Sequence, residues 1–317
     1  MDYSISVIIP VYNGAAFIEQ SIKSALEQPE VNEVVVVNDG STDDTGIVLR
    51  RLQKEDDRVK VYTHEGGINK GRSASRNLAL KKATSSLVAF LDADDYYLEE
   101  RFKNDLDLFK QSPEIDGVYN AIGVHFYRAH TQQEFQASQL TTVTKVIAPS
   151  ALFKHLLYYK NGHFSIDGFI LKTSVLKASG VFDETLQIGE DTAFILKTAL
   201  VGRLVPGIID KPVAVRGVHD DNVFNQKDIY TTYRWRIYES LLFWAYHQSI
   251  PLKYLDMILD LLWRHKFIAT KELFSLTGYW LKLFFKLPKL LFSKLSIKYF
   301  PLVRQRQRYF SFLYPSK

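Results

Sequence analysis

Three carboxylates in four positions, Asp92, Asp94 and Asp95, follow directly on five apolar residues, Leu87-Val88-Ala89-Phe90-Leu91. Like charges this close repel one another unless a cation sits among them, and oxygen-rich clusters suit Mg2+ or Mn2+. Such a cluster could hold a divalent ion against a phosphorylated substrate. The plainer alternative is a solvated acidic turn in which Asp94 or Asp95 caps a helix beginning near Leu98. Alone, a D-x-D pattern is short and favours that alternative. The rest of the chain has to decide.

The apolar run before the carboxylates reads as a strand buried on both faces, as in a parallel sheet. Ligands of open α/β sheets bind outside the carboxyl ends of such strands. The pattern recurs along the chain. Ser6-Val7-Ile8-Ile9-Pro10 reads as a first strand ended by Pro10, after which Val11-Tyr12-Asn13-Gly14 turns into a helix from Ala15 to Leu26. Glu33-Val34-Val35-Val36-Val37 is a second strand, leading into Asn38-Asp39-Gly40 and a helix ending near Glu55. A third strand, Val59-Lys60-Val61-Tyr62, precedes the Gly-rich loop from Glu65 to Gly71, which opens a helix from Ser73 to Ala83. Strands and helices alternating at roughly 25–30 residues predict right-handed β-α-β crossovers and a mostly parallel sheet.

The size of the chain, 317 residues with 46% hydrophobic, suits one large α/β domain plus an appendage, or two modest domains. The absence of cysteine excludes disulfides and thiolate metal sites and agrees with a reducing compartment. No window reaches roughly 18 uncharged apolar residues, and the start lacks a basic-then-apolar leader. A soluble or surface-bound protein is expected. The net charge of +5 is uneven: all 35 acidic residues precede Leu273, whereas nine Lys or Arg lie between Leu273 and Lys317. An anionic partner is therefore expected for the tail alone.

Three nucleotide-binding patterns compete for the strand-end loops. A dinucleotide fold wants G-x-G-x-x-G after the first strand, where Pro10-Val11-Tyr12-Asn13 stands instead. The segment from Gly66 to Ser73 approaches a P-loop but offers Arg72 for the lysine and follows the third strand. The third pattern fits better. Ser6-Val7-Ile8-Ile9-Pro10-Val11-Tyr12-Asn13, Val37-Asn38-Asp39-Gly40-Ser41-Thr42-Asp43-Asp44-Thr45, Asn69-Lys70-Gly71-Arg72-Ser73-Ala74-Ser75-Arg76-Asn77 and Phe90-Leu91-Asp92-Ala93-Asp94-Asp95 together resemble the family 2 glycosyltransferases. Gly180-Val181-Phe182-Asp183-Glu184 and Gly189-Glu190-Asp191-Thr192-Ala193-Phe194 are similar to that family's acceptor-side segment.

The resemblance implies the GT-A fold, Rossmann-like, with a mostly parallel sheet flanked by helices. It places a catalytic domain in residues 1–222 and leaves 223–317 as a helical, basic and aromatic appendage. It implies an inverting enzyme, a hexosyl- or N-acetylhexosaminyltransferase of bacterial cell-surface polysaccharide type, using Mn2+ or Mg2+. Carried over residue by residue, Pro10 and Tyr12 match positions lining base and ribose. Asp39 matches the carboxylate that accepts the uracil ring N–H, which favours a UDP-sugar. Asn69 and Arg76 match positions closing over base and phosphate. Asp92 is similar to the ribose-side aspartate, Ala93 stands beside it in the donor site, and Asp94 matches the metal ligand. The plainer readings stay open: Asp39 as a turn residue before Gly40, Arg76 as a helix-surface charge.

Displacing an anomeric leaving group needs a base on the incoming hydroxyl. Asp191 is the candidate, with Glu190 orienting the acceptor, because both fall in the first turn of a helix that follows Gly189 and runs from Thr192 to Leu200. That placement favours their ionised forms. After the strand Val213-Ala214-Val215, His219 is similar to a family histidine that approaches metal or diphosphate. A neutral imidazole is a fair Mn2+ ligand, so Asp94 and His219 form the expected metal pair; a surface-loop histidine is the alternative. His125, His130, His155 and His163 stay without a metal role.

From Asp228 to His265 the pattern is helical and aromatic. Between Thr270 and Leu287, Leu273, Phe274, Leu276, Trp280, Leu281, Leu283, Phe284, Phe285 and Leu287 share one broad face at 100° per residue, with lysines on its flank. Such a helix suits an anionic membrane interface; packing against another subunit in a homo-oligomer, or back on the core, is the alternative. Nucleic acid is not expected, because the aromatics lie on the apolar face and not among the charges. The expectation is thus a cytoplasmic enzyme, peripheral on the inner face of the cell membrane, acting on a lipid-linked or cell-surface glycan. A catalytically silent nucleotide-sugar-binding subunit of a membrane assembly complex is the competing reading.

Overall fold

A computed structural model describes residues 3–220 and 227–313. The chain forms two compact units, 1–222 and 223–317. In the first, β1 (Ile5–Val11), α1 (Ile18–Leu26), β2 (Val31–Asn38), α2 (Thr45–Glu55), β3 (Val59–Thr63), α3 (Arg72–Lys82) and β4 (Leu87–Phe90) alternate. They are followed by β5 (Tyr96–Tyr97), α4 (Lys103–Gln111), β6 (Gly117–Tyr119), β7 (Ile122–Phe126), α5 (Gln132–Ser138) and α6 (Pro149–Leu157). Then come β8 (Phe169–Lys172), α7 (Leu176–Ser179), α8 (Glu190–Val201), β9 (Leu204–Pro206) and β10 (Ala214–Val218).

Seven strands form the main sheet in the order β3-β2-β1-β4-β8-β6-β9, in which only β8 runs against its neighbours. A smaller sheet has the order β5-β10-β7. The unbroken apolar runs are explained by burial on both sheet faces: Val34, Val35, Val36 and Val37 are all fully buried, as are Ile8, Ile9, Val88 and Ala89.

Two local expectations change. Pro10 does not end β1, which continues to Val11 and pairs Pro10 with Val37. The carbonyl of Ile8 accepts Leu91 N on the β4 side and that of Val11 accepts Asp39 N on the β2 side. Pro10, in step with Ile8, therefore lacks its N–H on the β4 side, where the ladder has already ended at Ile8 opposite Phe90. Nor do Asp94 and Asp95 cap a helix near Leu98: Tyr96 and Tyr97 form β5 against β10, and α4 begins only at Lys103. The Tyr97 ring is buried and its hydroxyl donates to the Phe90 carbonyl at 2.7 Å, folding the chain back over the sheet directly after the carboxylates.

The second unit holds α9 (Lys227–His247), α10 (Leu252–Ala269), α11 (Leu273–Lys286) and three single turns, α12 (Leu295–Lys298), α13 (Pro301–Arg304) and α14 (Arg306–Tyr309). Leu241, Leu242, Ile258, Leu259 and Trp263 form its interior. The Lys266 ammonium lies 3.4 Å from the centroid of the Trp235 ring and 4.4 Å from that of Tyr279, whose hydroxyl donates to Glu239 at 2.8 Å. This cation between two aromatic faces ties α9, α10 and α11 together. The broad apolar face expected on α11 divides: Leu276, Leu283 and Phe284, with Leu287 just beyond, are buried, whereas Phe274, Leu281 and Phe285 are exposed.

Candidate active site

The carboxyl ends of β1, β2 and β4 open on one edge, and the loops there are stitched together. Asn13, in the left-handed region at φ 50°, accepts Thr42 N at 2.8 Å on its side-chain oxygen, and its own N–H donates to Ser41 Oγ at 3.0 Å. Tyr12, one residue past β1, is 52% exposed at this edge, while Pro10 is buried behind it. Asp39 follows β2 and is buried; its two oxygens accept Lys70 N at 2.7 Å and Gly71 N at 2.8 Å. His64 Nε2 lies 3.4 Å from the same carboxylate. Gly40 is required beside it: φ is +73°, and a Cβ would sit 2.8 Å from Asn69 N and from the Gly67 carbonyl. The Gly-rich loop is therefore held by the Asp39 carboxylate and packs backbone to backbone against Gly40. Asn69 is exposed on that loop and accepts Gly71 N at 3.1 Å.

Arg76 joins the strand-end edge to the later helix. It is 1% exposed, and its guanidinium donates to Asp92 at 2.5 Å and to Glu190 at 2.9 Å. Burial opposes its charge, but Asp92, Glu190 and Asp191 outweigh burial and hold the guanidinium above its ordinary value. Burial would raise Asp92, and Arg76 and Arg72 overcome it, leaving that carboxyl below its usual range. Glu190, 3% exposed, is pushed up by burial and by Asp191 against the pull of Arg72 and Arg76; Arg72 Nε stands 3.1 Å away. A helix-surface Arg76 is excluded by this burial. Glu190, read from the sequence as an acceptor contact, faces α3 through Arg72 and Arg76. Asn77, next along α3, donates to the Phe182 carbonyl at 3.0 Å and accepts Phe182 N at 2.9 Å, holding the segment that leads to α8.

Asp191 follows Glu190 in the first turn of α8, half-buried, with one oxygen accepting Thr192 N at 2.6 Å. Its charge raises both Arg76 and Arg216, so it belongs to the same electrostatic cluster as Asp92. His219 Nε2 lies 3.0 Å from Asp94, and its ring stacks on Phe17 at 5.0 Å between centroids. Burial, then the charge of Asp92, raises the Asp94 carboxyl. Ser21 Oγ, 2.8 Å from the Ala93 carbonyl and 2.5 Å from that of Asp95, pins the turn between them.

A deeper layer was not assigned from the sequence. Asp92, Asp95 and Asp167 bring carboxylate oxygens within 4.8 Å of one another. Asp95 accepts Gly217 N at 2.8 Å, and Asp167 accepts Asp92 N at 3.1 Å and Ser165 Oγ at 2.7 Å. Arg216 donates to Ser165 Oγ at 2.9 Å. Burial raises Asp95 well above the carboxylate range, with Asp167, Asp94 and Asp92 adding to it; burial and Asp92 likewise raise Asp167. Asp95 was visible in the sequence as the third carboxylate, but Asp167 is an isolated acid before β8 and Arg216 a lone cation in β10. Only the pairing of β8 with β4 and of β10 with β5 brings them in. The Asp94 carboxylate and the His219 imidazole beside it offer oxygen and nitrogen donors that could hold Mn2+ or Mg2+. His155 is engaged with Asn161, and His125 and His130 with aromatic rings. Among the described residues none of these joins an acidic cluster of metal-site geometry.

The fold and this edge define a mixed α/β protein whose charged and polar side chains gather at the carboxyl ends of its central strands. Residues 6–180 match the family Glycosyl transferase family 2, more than half of the chain, and the chain belongs to that family. The GT-A architecture is that of S. aureus TarS 1–349 in complex with UDP-GlcNAc, at TM-score 0.64 and 20% identity over 96% of this chain and 92% of that one. It is also that of the mannosyltransferase PcManGT from Pyrobaculum calidifontis in complex with GDP-Man and Mn2+, at TM-score 0.50 and 18% identity over 98% and 88%. The UDP-Glc:alpha-D-GlcNAc-diphosphoundecaprenol beta-1,3-glucosyltransferase WfgD of Escherichia coli is 37% identical over 108 residues, 34% of this chain and 41% of that protein. The first curated relatives are matched over 16% to 55% of their own lengths.

Proposed function

We propose that the chain is a metal-dependent, inverting glycosyltransferase that moves a hexosyl or N-acetylhexosaminyl group from a UDP-sugar to a hydroxyl of a lipid-linked or cell-surface glycan. The acceptor is met at the inner face of the cell membrane, on the cytoplasmic side. The single observation that carries this reading is the charge relay across α3, in which Arg76 bonds Asp92 on the donor side and Glu190 beside Asp191 on the other.

Each Asp39 oxygen has a lone pair beyond the one given to the loop amide, so the carboxylate can accept the uracil ring N–H while still anchoring the loop. Pro10, Tyr12, Asn69 and Ala93 line that donor edge, and the Arg76–Asp92 pair fixes the carboxylate beside the ribose. Asp191 takes the proton of the acceptor hydroxyl as its oxygen bonds to the anomeric carbon and the bond to the diphosphate breaks on the opposite face. Held by Asp94 and His219, Mn2+ or Mg2+ would supply positive charge to the departing diphosphate. Glu190 positions Asp191 through Arg72 and Arg76. The UDP-GlcNAc of TarS, the Mn2+ of PcManGT and the lipid-linked acceptor in the name of WfgD support the donor, the metal and the acceptor class of this reading.

The test is Asp191→Asn, assayed with Mn2+ and a panel of UDP-sugars. Transfer should fall by about 100-fold to 10,000-fold, the usual worth of a general base, while UDP affinity measured by calorimetry stays within a few fold. EDTA should remove both transfer and tight UDP binding. Turnover that survives Asp191→Asn refutes the base. UDP binding with neither transfer nor donor hydrolysis would mark a silent binding subunit.

A further inference from the structure

Eleven of the nineteen large apolar side chains that stand exposed on the described chain lie between Ile268 and Leu313. On α11, Phe274 (84% exposed), Leu281 and Phe285 (89%) are seven and four residues apart, so they fall within about 40° of one another at 100° per residue. Leu276 and Leu283 point to the opposite side and are buried. The helix is thus apolar on two separate faces, one spent on its own unit and one turned outward. Past Pro288, Leu291 and Phe292 (82%) are also exposed. Lys282, Lys286 and Lys289 are exposed on the same stretch. No helix among the described residues is long and apolar enough to cross a membrane.

We propose that this outward face lies in the plane of an anionic lipid surface, with the phenylalanines among the acyl chains and the lysines at the headgroups. The apolar stripe and the lysines supply the two contributions that bind an in-plane helix to anionic lipid. Charge decides for lipid over a second copy of the chain. From Leu273 to Lys317 there are nine basic and no acidic residues, so a two-fold contact through this face would set like charges against each other. Phosphate headgroups complement them, and lysine stems can lie along apolar surface while their ammonium groups stay in water.

This inference does not depend on the transfer reaction, and its readout is lipid binding. The full chain is floated with phosphatidylcholine vesicles with and without phosphatidylglycerol, at low and high salt. It should float with the mixed vesicles and lose most binding in salt. Joint replacement Phe274→Ser, Phe285→Ser and Phe292→Ser should lower partitioning about 100-fold or more. Each Lys→Gln at 282, 286 and 289 should lower it about fivefold on anionic vesicles only. All six positions are exposed, so the thermal transition should not move. A wild-type chain that stays in the soluble fraction overturns the proposal, as does a triple Phe variant that floats equally well. A dimer by light scattering that the Phe substitutions dissociate, with no lipid binding, assigns the face to self-association and overturns it too.

Discussion

Arg76→Met should be the most informative single perturbation of the site. It removes a guanidinium that is 1% exposed and paired with both Asp92 and Glu190. Removing one partner of a buried ion pair costs about 3–5 kcal/mol, because a charge is left without compensation. The two carboxylates are not equally stranded. The Asp92 side chain is 31% exposed and can be rehydrated; Glu190 is buried but keeps the half-exposed Arg72 at 3.1 Å. The cost should therefore sit at the low end, about 3 kcal/mol, read from urea unfolding. Glu190→Gln placed on top should recover part of it, giving a coupling of about 1–2 kcal/mol in a double-mutant cycle. The Asp92 carboxyl, now held below its range chiefly by Arg76, should titrate higher in the variant. A cost under about 1 kcal/mol, or strictly additive effects, would show that α3 does not couple the loop after β4 to α8 through this pair.

Gly217→Ala should disturb Asp94, proposed with His219 to hold the metal, since a Cβ there would lie 2.2 Å from the Asp94 carbonyl oxygen and 2.8 Å from the Tyr127 ring. It should cost about 1–3 kcal/mol and weaken the stabilisation that Mn2+ gives in thermal melts; an unchanged Mn2+ response would separate Gly217 from the site. Lys197 is buried in α8, its ammonium donates to the Val181 carbonyl, and burial pushes it down to about 8. Unfolded lysine holds its proton to about 10.4. Between those values the unfolded chain carries the extra proton, so stability should rise with pH across that window by up to about 3 kcal/mol. Denaturant unfolding of Lys197→Met should lack this rise, and an equal rise in both proteins would refute the assignment.

Much of this protein is legible in its sequence because the information is local. Runs such as Val34–Val37 have one physical explanation, burial on both sides of a sheet, and Gly40 and Gly71 mark places where the backbone must turn. Motif order along β1, β2, α3 and β4 is enough to place Asp39, Arg76, Asp92 and Asp94 at one edge. Where sequence reasoning faltered, the deciding term was a contact between distant segments. Pro10 stays in its strand because β4 stops two residues short. The acidic turn is not a helix cap because Tyr96 and Tyr97 pair with β10 and Tyr97 bonds the Phe90 carbonyl. Asp167 and Arg216, which face Asp92 and Asp95, come from the turn before β8 and from β10, segments with no local mark of function. The amphipathic pattern of α11 shows that the helix has apolar sides but not which side is already covered. Spacing and residue type are properties of one segment, whereas burial and charge balance belong to all the segments that meet, and only the folded chain sets those.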